Sequence, residues 1–223
     1  MPPDLVPARH GPAGPADAGG PGGTASSGSD AGGEAALVAS RRVRPPEGRD
    51  FWVFGYGSLM WRPGFEPAAA LPALLRGWHR AFCIYSHHYR GTPDDPGLVL
   101  GLDRGGACRG RALLVPAERA AAVADYLHER EMITGVYRPR WVAVDSARGR
   151  LTALTYVADR DHPQYTGKLE ADRVVELILR ARGESGTNRS YLENTVRHLD
   201  ELGVVDCPLH RLLRQVEARA AAA

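Results

Sequence analysis

No apolar run in this chain reaches the ~18 residues that a helix needs to cross a bilayer. Cysteine is scarce as well: Cys83, Cys108 and Cys207 lie far apart, odd in number and without a C-x-x-C pair. That argues against a disulfide framework and a zinc site, and points to a reducing, cytoplasmic setting. Lysine is nearly missing, Lys168 being the only one among many arginines. The formal charge is only +2 over 223 residues, with acids and bases mixed along the chain. No basic stripe therefore suggests nucleic acid or a membrane surface as a partner. Met1-Pro2-Pro3-Asp4 offers neither the basic start nor the apolar stretch of a secretory signal. Aromatic residues are absent from Pro2 to Gly33, where Gly, Ala, Pro, Ser and Asp dominate. Such a segment cannot bury enough surface to offset its ordering entropy. Residues 1–48 are expected to be a disordered tail, weakly helical around Ala35 to Val43 and closed by Arg44-Pro45-Pro46-Glu47-Gly48. Deleting residues 1–46 is expected to change little. Residues 49–223 are long enough for one domain with a real core.

What is present starts at Phe51-Trp-Val-Phe54, a continuous apolar run that predicts a short buried strand. It breaks at Gly55-Tyr56-Gly57-Ser58, where two glycines permit a sharp bend and a close approach to the main chain. Ser58-Leu59-Met60-Trp61 can begin a helical turn whose free N–H groups face that space, giving an anion or oxyanion cradle. The alternative is a tight bend packed under aromatics. A dinucleotide fingerprint fails because its third glycine is Met60, and a serine-hydrolase elbow fails because Ser58 follows Gly57 directly.

Further along, Leu74 to Ser86 reads as a long strand, and Leu98 to Leu102 with Arg111 to Val115 as a pair joined by the turn Asp103-Arg104-Gly105-Gly106. Pro116 opens a helix over 117–131 with Glu118 in its first turn. Trp141 to Val144 and Leu151 to Val157 form a further hairpin. Three helices follow near 169–182, 191–202 and 207–219, the second opened by a capping box Ser190-x-x-Glu193 and closed at Gly203. The pattern predicts an α+β fold, a small and largely antiparallel β-barrel flanked by helices.

Among polar residues Glu131 carries the most information. Val123, Leu127 and Glu131 recur at four-residue spacing on one stripe, while Glu129 lies on the far side of the helix. A carboxylate on an apolar face at a helix C-terminus is pushed toward its neutral form, which suits a general acid–base near neutral pH. Equally open is an ion pair with Arg130, Arg138 or Arg140 at the rim of the core. His87 and His88 are adjacent, so they point to opposite sides of an extended segment, and no acidic or cysteine ligand stands at metal spacing nearby. No metal site is expected. Arg90, in Arg90-Gly-Thr-Pro93, can hold a carboxylate or sit in a surface turn. Tyr165, in a turn-rich loop, can lend a hydroxyl to a pocket or simply pack.

Phe54-Gly-Tyr-Gly-Ser-Leu-Met-Trp61, Arg90-Gly-Thr-Pro93, Gly97-Leu-Val-Leu-Gly-Leu-Asp103, Arg130-Glu-Met132 with Gly135-Val-Tyr137, and His162-Pro-Gln-Tyr165 together resemble the ChaC family of γ-glutamylcyclotransferases. The resemblance runs from about Phe51 to Leu213, and Gly186-Thr-Asn-Arg-Ser-Tyr191 departs from the family's usual pattern. It implies cleavage of glutathione to 5-oxoproline and cysteinylglycine without metal or organic cofactor. It places the catalytic glutamate on Glu131 and the substrate-binding loop on Val53, Phe54, Gly55, Tyr56, Gly57, Ser58 and Leu59, with Arg90 and Tyr165 as further substrate contacts. Rival readings are a cyclotransferase for other γ-glutamyl amino acids or amines, and a non-catalytic γ-glutamyl-binding module.

Overall fold

The structure is a computed structural model that describes residues 38–222; the expected tail over residues 1–37 lies outside them. Strands β1 (Phe51–Gly55), β2 (Ala69–Ser86), β3 (Gly97–Val115), β4 (Tyr137–Ser146) and β5 (Gly149–Ala158) form a closed barrel in the order β1-β3-β2-β4-β5. Every pairing is antiparallel except the seam, where β1 runs parallel to β5 through Trp52↔Ala153 and Val53↔Leu154. Helix α1 (Ala120–Glu131), entered through a 3₁₀ turn at Ala117–Arg119, lies between β3 and β4. Helices α2 (Ala171–Arg180), α3 (Asn188–Glu201) and α4 (Cys207–Ala221) follow the barrel, with the two-residue ribbon β6 (Arg182–Gly183) and β7 (Gly186–Thr187) before α3. The α+β barrel read from the sequence is the observed architecture.

Apolar packing divides around the sheet. One cluster joins Phe54, Leu75, Leu98 and Leu102 to Leu177, Ile178, Leu192, Val196, Leu199 and Val216, seating α2, α3 and α4. A second joins Phe51, Val53, Leu113 and Leu154 to Val123, Leu127 and Met132, seating α1. Barrel strands caught between two such layers are buried on both sides, which is why β1 reads as a continuous apolar run.

Three local readings are corrected. Asp103 to Gly106 is no hairpin turn, because β3 continues unbroken from Gly97 to Val115. Gly105 and Gly106 adopt φ of 99° and 68° opposite Gly77 at 81°, and the register shifts there between Arg76 and Trp78. The glycines make a bulge that bends the β2–β3 ribbon instead of reversing it. Helix α3 starts at Asn188, with Thr187 as its cap: the Thr187 hydroxyl accepts the Ser190 amide at 3.1 Å. Glu193 pairs with Arg189 at 2.7 Å instead of closing a capping box. The segment 38–48, assigned above to the tail, packs on the domain: Val38 and Val43 lie against the α1 cluster, and Arg41 pairs with Asp159 at 2.6 Å.

Candidate active site

The bend after β1 is built from both sides. Val53 and Phe54 are fully buried in the two separate clusters, so they support the bend and line neither of the two spaces described below. At Gly55 a Cβ would meet the Leu59 Cβ at 3.1 Å and the Met60 nitrogen at 3.2 Å, so the chain folds back onto itself there. At Gly57 the nearest atom to such a Cβ is a Leu100 methyl at 3.7 Å, which leaves that side open. Ser58–Met60 forms the expected helical turn, of 3₁₀ type. The Met60 amide donates to the Gly57 carbonyl at 2.9 Å and the Arg62 amide to the Ser58 carbonyl at 2.7 Å. The first amides of such a turn have no partner inside it.

Arg80 fixes the direction of the peptide just before that turn. Buried beneath the bend, its guanidinium donates to the Tyr56 carbonyl, donates to the Arg109 carbonyl at 2.7 Å, and pairs with Asp206 at the start of α4. In a trans peptide the carbonyl and the following N–H point in opposite directions. With the Tyr56 carbonyl turned down onto Arg80, the Gly57 N–H faces the opposite way.

Glu131, the last residue of α1, meets both readings made of it. It continues the buried stripe of Val123 and Leu127, and its side chain is 18% exposed. It also lies beside Arg130, whose Nε is 3.2 Å from Glu131 Oε1. Arg130 donates to Ser58 Oγ at 2.9 Å and to the Arg62 carbonyl at 2.6 Å, tying the end of α1 to the bend after β1. Arg138 is engaged with Asp159 and Asp161 instead. Burial raises the Glu131 pKa above the usual carboxylate value, and the Arg130 charge opposes this only in part. Glu129 is exposed, on the opposite side of the helix.

These elements line two adjacent spaces. An inner chamber of about 60 Å³ is lined by Tyr56, Gly57, Ser58, Leu59, Glu131 and tyrosines from three other elements, Tyr137, Tyr156 and Tyr191. An outer cleft of about 600 Å³ shares Ser58, Glu131, Tyr137 and Tyr191 with it and extends to Arg62, Arg90, His87, His88 and Gln164. Glu131 therefore stands at the junction. Burial raises the pKa of all four tyrosines, to about 12 for Tyr191, so they stay neutral phenols able to donate. Tyr137 donates to the Leu100 carbonyl at 2.7 Å. Tyr191 is carried by α3, whose first residue Asn188 exchanges two hydrogen bonds with the Leu98 backbone at 2.6 and 2.7 Å.

The residues singled out in the sequence thus separate. Tyr56, Gly57, Ser58, Leu59 and Glu131 come together in the chamber. Arg90 joins the outer cleft, stacked 5.1 Å from the Tyr191 ring centre. Tyr165 does not reach either space: its hydroxyl donates to Asp103 at 2.9 Å, and Gln164 from the same loop lines the cleft. A loop tyrosine beside an accepting carboxylate satisfies its hydroxyl locally. Tyr137, Tyr156, Tyr191 and Arg130 were not assigned site roles. They come from four separate elements, and no local pattern brings them together; the signals in the sequence are the place of Arg130 beside Glu131 and of Tyr137 in the stretch Gly135-Val-Tyr137.

Residues 51–219 match the family described as ChaC-like protein. The glutathione-specific γ-glutamylcyclotransferase of Escherichia coli strain K12 is 41% identical over 184 residues, 82% of this chain and 79% of that protein. The protein of the same description from Schizosaccharomyces pombe is 32% identical over 196 residues, 78% of this chain and 94% of its own. A crystal structure of a yeast γ-glutamyl cyclotransferase specific to glutathione superposes with a TM-score of 0.70 at 24% identity, covering 76% of this chain and 96% of that one. That last likeness concerns the barrel and its helices.

Proposed function

The chain belongs to the ChaC-like family, and from that premise we propose that it is a glutathione-specific γ-glutamylcyclotransferase, releasing 5-oxoproline and cysteinylglycine. One observation carries the reading: Glu131, a carboxyl of raised pKa, lines both a small tyrosine-lined chamber and the larger cleft beside it. The chamber takes the γ-glutamyl end and the cleft takes cysteinylglycine.

The substrate supplies its own nucleophile. Glu131 in its carboxylate form removes a proton from the α-ammonium group, and the freed amine attacks the γ-carbonyl carbon. A C–N bond forms and the carbonyl oxygen becomes an oxyanion. On collapse, the bond to the cysteine nitrogen breaks, Glu131 returns the proton to the departing amine, and the ring nitrogen gives up its second proton to that amine, leaving a neutral lactam and an ammonium group. The raised pKa brings the carboxyl closer to the working pH for both transfers. Amides of the bend, with that of Gly57 turned by the Arg80 contact, stabilise the oxyanion, and neutral tyrosine hydroxyls add donors without adding charge. Ring closure is intramolecular, so holding the γ-glutamyl chain folded in a narrow chamber supplies much of the rate. Nothing in this scheme calls for a metal or an organic cofactor. The free cysteines fit a cytoplasmic setting, where glutathione is kept as a thiol.

The test is to incubate the purified protein with glutathione and with γ-glutamyl-alanine and to follow 5-oxoproline by mass spectrometry. Faster turnover of glutathione is expected. Equal or better turnover of γ-glutamyl-alanine would move the protein to the broader cyclotransferase class, and no 5-oxoproline from either would leave a γ-glutamyl-binding module.

A further inference from the structure

Only five residues, 132–136, connect Glu131 at the end of α1 to Tyr137 at the start of β4, and both ends of that connector line the chamber. It contains a turn, the Gly135 amide donating to the Met132 carbonyl at 3.2 Å with Gly135 at φ 68°. Three successive carbonyls at its far end are then held from outside. Arg41 Nη1 donates to the Gly135 carbonyl at 2.8 Å and to the Tyr137 carbonyl at 3.2 Å. The Val136 carbonyl between them accepts the Asp159 amide at 2.8 Å. Arg41 Nη2 donates to the Asp159 carboxylate at 2.6 Å, closing the group, and the two side chains are only 14% and 4% exposed. Val38 and Val43 pack on the cluster that contains Leu127 and Met132, fixing the segment from which Arg41 projects. Arg41 lies outside residues 51–219, the span that matches the family.

We propose that Arg41 is a positioning residue for the reaction: it holds the connector so that Tyr137 and Glu131 face the same chamber. The proposal rests on the cyclotransferase reading for its kinetic consequence, but its structural consequence stands apart from it. A guanidinium reaches two carbonyls and a carboxylate at once because its donors are arranged as a fork, whereas lysine presents one compact point charge. Arg41→Lys thus keeps a cation beside Asp159 and gives up the span across the connector.

In the full-length chain, Arg41→Lys should retain a melting temperature close to wild type, while kcat on glutathione falls by about tenfold with KM nearly unchanged, as expected when reacting groups are misplaced. Hydrogen exchange should accelerate in residues 132–137 and not in β2. Deleting residues 1–37 leaves Arg41 in place and should preserve kcat, whereas deleting 1–46 should reproduce the Arg41→Lys loss. A folded Arg41→Lys protein with wild-type kcat, or with unchanged exchange over 132–137, overturns the proposal. If the wild type releases no 5-oxoproline, the exchange measurement still decides whether Arg41 holds the connector.

Discussion

The chamber behind Glu131 is small and walled largely by tyrosines and the bend after β1, whereas the larger cleft in front of it adds arginines, histidines and aliphatic side chains to the two tyrosines they share. Chamber walls come from the bend after β1 and from β3, α1, β4, β5 and α3, elements tied to the two apolar clusters. Much of the cleft comes from the loop 87–90, from Arg62 and from the turn at Ile133 and Thr134, several of which are exposed. Under the proposed reading, the chemistry falls in the chamber and the choice of leaving group in the cleft. Substitutions inside should act on kcat, and those outside on KM.

The largest effect is expected at the junction. Glu131→Gln keeps the shape but cannot exchange a proton, so kcat should fall by on the order of 10²-fold or more with KM little changed. A folded Glu131→Gln protein turning over at the wild-type rate rules out the mechanism. The same variant reports the electrostatics. Because burial raises the folded pKa of Glu131, its contribution to stability is full below the unfolded pKa and is lost as pH rises through the folded value. The melting temperature of Glu131→Gln relative to wild type should therefore be more favourable at mildly alkaline pH than at acid pH. A structural ion pair with Arg130 would give the opposite trend.

Next in size is Tyr137→Phe, which should lower kcat by about tenfold and stability by about 1 kcal/mol, because the buried Leu100 carbonyl loses its donor. A loss of stability with wild-type kcat would remove Tyr137 from the chemistry. Arg130→Gln should shift the acidic limb of the pH–rate profile to higher pH, since the charge that holds the Glu131 pKa down is gone. An unshifted limb would show that Arg130 does not influence the acid–base group, and a shift to lower pH would contradict the sign of its effect. Outside, Arg62→Ala should raise KM for glutathione by about fivefold with kcat unchanged, the scale of one exposed charge contact. An effect on kcat of that size would blur the division between the two spaces. Glu129→Gln, on the exposed side of α1, should be silent in both constants.

The parts of the site visible in the sequence are those carried by short-range geometry. Gly55-Tyr-Gly-Ser58 states its own bend, and four-residue spacing puts Glu131 on the face of Val123 and Leu127 whatever surrounds the helix. The tyrosines escaped because each is ordinary within its own element, and only barrel closure brings Tyr156 of β5 and Tyr191 of α3 to one wall. Gly105-Gly106 misled for a related reason. Two glycines with left-handed φ serve a turn or a bulge equally well, and the choice between them is made by Gly77 on the neighbouring strand. Arg41 was misplaced because its partners are nearly a hundred residues or more away.

The seam of the barrel has a consequence for how activity appears during folding. The β2–β3 and β4–β5 ribbons join neighbours along the chain, whereas β1 and β5 meet through two residue pairs about a hundred positions apart. Closing so long a loop for so few contacts is entropically costly, so the seam is expected to close after the ribbons have zipped. β1 runs directly into the bend at Tyr56 to Leu59, so the amides of the chamber reach their places only when the barrel shuts. In a refolding experiment, far-UV circular dichroism should recover first and release of 5-oxoproline should follow with the slowest phase.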